Sequence, residues 1–465
     1  MLARQSTSFV AFRCIPRFLR NGIAKCLSLF RGNNLIKSRW HQSWIAIDIR
    51  ALTALWKSAP RMGFLSQVTR VSIHRLWGFL RFLMTRRRIE LLRDEVRMSN
   101  FAQRKDKSTP RLFNLDLHIG VIADLEQAFK HINIPITRWS ISGHNHLVDG
   151  RLPVSDPVKF INQRSWRSLD PDLIEKFQSR YGNFLRRFDG FVCTYSPTFA
   201  EIYKDLGKPI LAVAATRYEA PYTNRAADWD RFDKFVVDGV RQNKIVLGAN
   251  NQGDADYLRY FTDLIVPVVP SLCTKPVWDS NKKGPRVVMC HDQRLVELVE
   301  TQSGRAYNRI GILGSPYSWR SLAQCQEVLV FPQNISTMTL FELATAGVPV
   351  AVPSRRWIQE LRDTGFCVLD ECTFHEIYGL PCDDLSTENP NNYRSNKYLD
   401  WWLDRADFYD TNLMPNVRIV DSVEELVKNI NQDTFHDDLR TITSIRNSRI
   451  TSIRHDFITG FSDLL

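Results

Sequence analysis

From Arg111 onward the chain alternates short apolar runs with amphipathic stretches of ten or more residues, and this alternation restricts the fold more than any other feature. LFNLDLHIGVIADLEQAFKHI reads strand, turn, helix, and PITRWSISG reads as the next strand. PDLIEKFQSRYGNFLRRF, TFAEIYKDLG, WDRFDKFVVDGV and DADYLRYFTDL then read as helices, interleaved with DGFVCTY, KPILAVAAT, KIVLGAN and IVPVVP as strands. Strands separated by helices of this length cannot pair as hairpins. They form parallel sheet through βαβ crossovers. The pattern pauses at SLCTKPVWDSNKKGP, a Pro-, Gly-, Lys- and Asn-containing stretch suited to a linker. It resumes with PRVVMC, QRLVELVETQ, NRIGILG, WRSLAQCQ, EVLVFP, STMTLFELATAG and VPVAVP.

Two such runs around one linker predict an α/β protein with two Rossmann-like domains facing each other across a cleft, spanning 108–266 and 267–465. DSVEELVKNIN and DDLRTITSIRNSRITSIRHDFI would close the second domain as helices. A length of 465 residues, too great for one ordinary core, agrees. The segment before them is different. Residues 1–107 hold 22 Lys and Arg against five acids, so the formal charge of +12 divides into +17 there and −5 on 108–465. A mildly acidic body argues against a phosphate-tracking nucleic-acid groove. The basic segment has no apolar run of the ~18 residues a spanning helix needs. It fits an organelle transit peptide, an amphipathic membrane-surface region with Arg86, Arg87 and Arg88 as a basic cluster, or a weakly ordered extension with Met62, Met84 or Met98 as alternative starts. A cytoplasmic protein, peripheral on a membrane or not, fits the remainder. The nine cysteines are scattered, odd in number and without CxxC, which suits a reducing compartment. Cys367, Cys372, His375 and Cys382 lie close in sequence, but their spacing matches no standard zinc pattern.

In open α/β sheets ligands bind beyond the carboxyl ends of the strands. The polar residues that follow the predicted strands are Asp116 and His118, His144 and His146, Arg217 to Glu219, Asn250 and Asn251, His291, Ser315 and Tyr317, and Asn334 to Thr337. The most informative stretch is VFPQNISTMTLFELATAGVPVAVPS. Val328 to Phe331 reads as a strand, Ser336 to Ala346 as a helix ended by Gly347, and Val348 to Val352 as another strand. Glu342 stands among residues that favour burial, so it needs a partner. The helix start would point into the cleft, where free N–H groups with the Ser336 and Thr337 hydroxyls form an anion site. Glu342, about two turns on, could then accept the two hydroxyls of a ribose. Capping a neighbouring backbone, or pairing with Arg355 or Arg356, would explain it equally well.

The same stretch resembles the donor-binding segment of the retaining GT-B glycosyltransferases. In that family a strand ends in a Pro-Ser-like turn, a helix carries a Glu, and a small-Gly-Val-Pro-Val tail follows. The resemblance is specific over about residues 310–354. It implies a glycosyltransferase, moving a sugar from a nucleotide-diphospho-sugar to a carbohydrate, lipid or protein acceptor, with no nucleic-acid partner and no cofactor or metal beyond the nucleotide sugar as co-substrate. It makes Glu342 the ribose ligand, places Ser336 and Thr337 at the diphosphate, and brings Ser315 to Tyr317 to the base. Where the family often has a second Glu, eight residues earlier, this chain has Asn334, which leaves the sugar contact and the stereochemical outcome open. Arg217, with Lys275 in second place, is a candidate to offset charge on the departing phosphate. His144 or His118 is a candidate to polarise or deprotonate the acceptor hydroxyl. Another nucleotide-sugar enzyme on this architecture, such as an epimerase, or a non-catalytic binding protein, is also compatible with the fold. The triplets at 170–172 and 254–256 match Asp-x-Asp but stand where Asp caps helices. The aromatic run at 401–410 reads as a helix packing its Trp residues on the second domain rather than as a sugar platform.

Overall fold

Runs of Val, Ile, Leu and Ala bounded by polar turns become strands where their faces are covered, as they are at the inner strands of both sheets. The computed structural model describes residues 109–142, 158–273, 282–314, 319–428, 430 and 438–465, all within one compact unit of the chain, 87–465. The basic segment 1–107 lies outside the described residues. Five strands, β1 (Leu112–Asp116), β2 (Ile136–Ser140), β3 (Gly190–Cys193), β4 (Ile210–Ala214) and β5 (Ile245–Ala249), form one parallel sheet in the order β2-β1-β3-β4-β5. A second parallel sheet takes β6 (Arg286–Met289), β7 (Tyr307–Arg309), β8 (Val328–Val330), β9 (Val350–Pro353) and β10 (Val417–Val420) in the order β10-β9-β8-β6-β7. The two orders are one topology read from opposite ends. Each is a Rossmann-like sheet whose direction of growth reverses next to its first strand, between β1 and β3 and between β6 and β8.

The helices follow the same alternation: α1 (Ile119–His131), α2 (Pro171–Leu185), α3 (Ala226–Arg241), α4 (Gln252–Thr262), α5 (Gln293–Gln302), α6 (Trp319–Ala323), α7 (Met338–Thr345), α8 (Arg355–Asp363), α9 (Phe374–Tyr378), α10 (Tyr398–Leu403), α11 (Val423–Lys428) and α12 (Leu439–Ser462). Their starts are set by short polar side chains. Asp170 accepts from Leu173 N at 2.8 Å to begin α2, and Asn251 accepts from Asp254 N at 2.8 Å to begin α4. Helix α12 buries Leu439, Thr443, Arg446, Ile450, Arg454, Ile458 and Phe461, spaced by three or four as one helical face requires. Its first half lies against α7, with Arg446 Nη1 donating to Thr345 Oγ1 at 3.4 Å. Its second half packs on α1, through Phe461 and Phe129 and a buried ion pair of Arg454 with Asp124 at 2.7 Å. The last helix therefore ties the second half of the molecule to the first.

Several elements differ from their sequence reading, each for a local reason. IVPVVP makes only a single parallel bridge, Val268 to Ala249, because Pro267 and Pro270 have no N–H to donate. NRIGILG keeps only Asn308 and Arg309 in a strand and then turns into a 3-10 segment, Ile310–Leu313, ended by Gly314 at φ 99°. TFAEIYKDLG winds as a 3-10 helix, Pro197–Leu206, closed by Gly207 in the left-handed region. The helix read from Ser336 begins at Met338. Ser336 N donates to Asn334 Oδ1 at 2.8 Å and Thr337 Oγ1 to Asn334 O at 2.8 Å, and these turn bonds hold two residues out of the helix.

Candidate functional site

The reversal point of the first sheet is built around Asp116, fully buried at the end of β1. One carboxylate oxygen accepts from Leu117 N at 2.6 Å and His118 N at 3.1 Å. The other accepts from Thr194 N at 2.6 Å, Tyr195 N at 3.3 Å and the Thr194 hydroxyl. This carboxylate satisfies backbone donors that two diverging strand ends would leave unpaired. It also sets the His118 and Tyr195 rings face to face, 5.8 Å apart and 10° from parallel. A Cβ on Gly120, in the first turn of α1, would meet the His118 ring at 3.3 Å and Met338 of α7 at 4.0 Å. Asn250 at the end of β5 donates to the Met338 sulfur at 3.7 Å. The carboxyl ends of β1 and β5 thus meet the start of α7.

Helix α7 has no side-chain cap at its first turn, so its leading N–H groups are available to an acceptor. Gly347 follows it at φ 59°, a left-handed position that lets the chain reverse into β9. Glu342 is half-buried and, among the described residues, has no hydrogen bond or ion pair; Arg355 pairs with Asp404, and Arg356 with Glu360 and Asp421. Burial alone pushes its carboxyl from 4.5 up to about 8. It lies four residues into α7, about 6 Å along the axis and closer to the helix start than the sequence reading placed it. Burial, and after it the nearby Glu342 carboxylate, raises the thiol of Cys273, where the first half of the chain gives way to the second.

Arg217, three residues past β4, is buried. It pairs with Asp254 at 2.7 Å, donates to the Cys372 carbonyl and to Ser336 Oγ, and lies over the Trp402 ring at 4.7 Å. Ser336 Oγ donates to Asp254 Oδ2 at 2.7 Å and accepts from Asn251 Nδ2 at 3.2 Å. A Cβ on Gly253 would come within 1.8 Å of the Ile335 side chain, so helix α4 and the loop before α7 are in direct contact. In this structure the two halves are closed on each other at this point. Asp254, read from sequence as a capping acid at a helix start, is not the cap: Asn251 holds that place and Asp254 stands in the first turn, and nothing local ties it to Ser336, 82 residues away. Trp402 is fully buried between the halves: its ring stacks on Tyr257 of α4 at 5.7 Å, and its Nε1 donates to Pro390 O of the second domain at 3.2 Å. Trp401 carries the Arg405 guanidinium, which pairs with Asp256.

Of the residues singled out from sequence, His118, Arg217, Asn334, Ser336 and Thr337 gather around the start of α7, and Glu342 stands one turn into it. His144, Lys275, Ser315 and Tyr317 lie outside the described residues. Cys367, Cys372, His375 and Cys382 are free of disulfides or metal geometry; among the described residues no three His, Cys, Asp or Glu side chains gather as a cation site would require. Asp170 does cap α2.

No family model matches the sequence, and no curated protein matches it. Solved structures do resemble the fold. The spinosyn forosaminyltransferase SpnP is 12% identical, over 77% of this chain and 99% of that one, at a TM-score of 0.39. The glycosyltransferase SnogD from Streptomyces nogalater is 11% identical, over 77% and 100%, at 0.40. A glycosyltransferase from Rickettsia africae ESF-5 is 10% identical, over 77% and 99%, at 0.42. All three are glycosyltransferases. At these values no residue correspondence follows. Among the described residues no helix is long and apolar enough to cross a membrane.

Proposed function

We propose that this chain is a GT-B-type glycosyltransferase that moves a sugar from a nucleotide-diphospho-sugar to an acceptor hydroxyl. The observation that carries the proposal is Glu342, a half-buried carboxylate with no protein partner among the described residues, one turn inside a helix whose uncapped start follows a parallel strand. Both lone-pair sets of that carboxylate are open to a vicinal diol. The N–H groups of the first turn of α7 and the hydroxyls of Ser336 and Thr337 would take the diphosphate, with Asn334 shaping the turn that presents them. Ser315 and Tyr317 would approach the base and Lys275 the phosphates.

As the sugar–phosphate bond breaks, charge grows on the departing oxygen, and Arg217 with the α7 dipole would stabilise it. His118, held by Asp116 through its backbone and by Tyr195 through its ring, would take the proton from the acceptor hydroxyl, or His144 would do so. The nucleotide sugar is a co-substrate, and the proposed reaction requires no resident cofactor or metal. Calorimetric titration with a panel of nucleotides and nucleotide sugars tests this. Glu342→Gln should weaken donor binding by about 1–3 kcal/mol, the scale of lost charge-assisted hydrogen bonds. Equal affinity in a folded variant removes the ribose role. Sugar isomerisation without any acceptor would make the chain an epimerase, and binding without turnover would make it a non-catalytic binding protein.

A further inference from the structure

Three donors from both halves of the molecule converge on one carboxylate at the start of α7. Asp254 Oδ2 accepts from Ser336 Oγ at 2.7 Å and from Asn251 Nδ2 at 2.5 Å, while Oδ1 faces the Arg217 guanidinium at 2.7 Å. Such a cradle of a cation, a hydroxyl and an amide beside a helix N-terminus is the environment that binds a phosphate. Here it is filled from within. Asp254 and Arg217 are 1% and 3% exposed, so neither charge can be left unpaired without a large desolvation cost.

Arg217 does not depend on Asp254 for its position. Trp402 lies against its face and the Cys372 carbonyl holds its other arm. If Asp254 withdraws, the guanidinium stays and requires another anion. Asp254 is in the first turn of α4, and α4 meets the α7 loop through Gly253, where Ile335 packs so closely that any side chain would push the two apart.

We propose that Asp254 occupies the place of a donor phosphate, so that diphosphate binding exchanges one anion for another on Arg217 and Ser336. The inference rests on the donor reading of α7 and adds a competitor to it. The plug reserves the site for ligands with enough negative charge to displace a carboxylate. It lowers apparent affinity by the fraction of chains in which α4 has moved aside. No bond is made or broken in the exchange; one ion pair replaces another.

The test is titration of the full chain, wild type, Asp254→Asn and Gly253→Ala, with inorganic pyrophosphate, a nucleoside diphosphate and the parent nucleoside. Asp254→Asn should bind pyrophosphate and the diphosphate about tenfold more tightly than wild type, with nucleoside affinity unchanged, because only the competitor for phosphate is removed. Gly253→Ala, which alters no charge, should shift affinity in the same direction by a smaller factor. Folded Asp254→Asn with equal or weaker pyrophosphate affinity overturns the exchange. If that variant does not fold, Gly253→Ala decides in the same way. Tighter pyrophosphate binding in the variants without any nucleoside recognition would uphold the exchange and defeat the donor reading, so the two are separable.

Discussion

Glu342→Gln should make the protein more stable, and increasingly so as pH rises. A carboxyl whose folded value stands above its ordinary one favours the folded state while protonated. That advantage is complete below pH 4.5 and is lost as pH rises through about 8, where the folded form must hold a charge that burial penalises. At pH 7 the interval from 4.5 is about 2.5 units, on the order of 3 kcal/mol at 1.36 kcal/mol per unit. Water reaching a half-buried group reduces this to about 1–2 kcal/mol. Gln matches the volume of Glu, keeps a hydrogen-bonding head and has no charge to desolvate. Scanning calorimetry at pH 5, 7 and 8.5 should show the two proteins melting close together at pH 5 and the variant melting higher at pH 8.5. A gap of constant size, or a variant less stable at high pH, would refute the claim that desolvation alone sets this carboxyl. A stabilising substitution that also weakens donor binding would mark Glu342 as a residue that costs stability to hold a ligand.

The same carboxyl should make the proposed nucleotide binding pH-dependent. Ribose hydroxyls favour the charged form, so affinity should rise between pH 6 and 9, and titrations at pH 7 in buffers of different ionisation enthalpy should detect proton release that Glu342→Gln abolishes. Trp402→Ala should destabilise by about 3–5 kcal/mol in denaturant unfolding, since it empties a fully buried site and uncovers the face of Arg217. Arg454→Met, which strands Asp124 without its cation, should cost about 3–5 kcal/mol at pH 8. It should cost less at pH 5, because burial already pushes Asp124 up to about 6 and below that the acid is neutral. Gly190→Ala should destabilise, because its new Cβ would meet Leu465 at 2.7 Å, Leu112 at 3.0 Å and the Pro209 carbonyl at 3.1 Å; an unchanged melting temperature would show that β3 yields locally.

What the sequence made legible is what local pattern encodes. The βαβ alternation reports its own periodicity, so both parallel sheets could be read, and Glu342 stood out because an acid among Leu, Phe and Ala is locally anomalous. What stayed hidden depends on distance. No neighbour of Arg217 announces that it will face Asp254 and Ser336, and the burial of Trp402 against Tyr257 joins residues 145 positions apart. The strand expected at IVPVVP failed for a nearer reason: its two prolines cancel the donors that the apolar residues would otherwise have brought to the sheet. The helix expected at Ser336 started late because Asn334 offered the backbone a competing turn.

A single apolar cluster runs through both sheets, taking in Phe113 and Tyr257 as well as Ile335, Trp402 and Leu426. The two halves are therefore poor candidates for dissection. Expressed alone, each would present to water an inner wall that the other normally covers, and would be prone to associate through it. Heating the intact chain should correspondingly give one cooperative heat-absorption peak for both sheets rather than a separate peak for each.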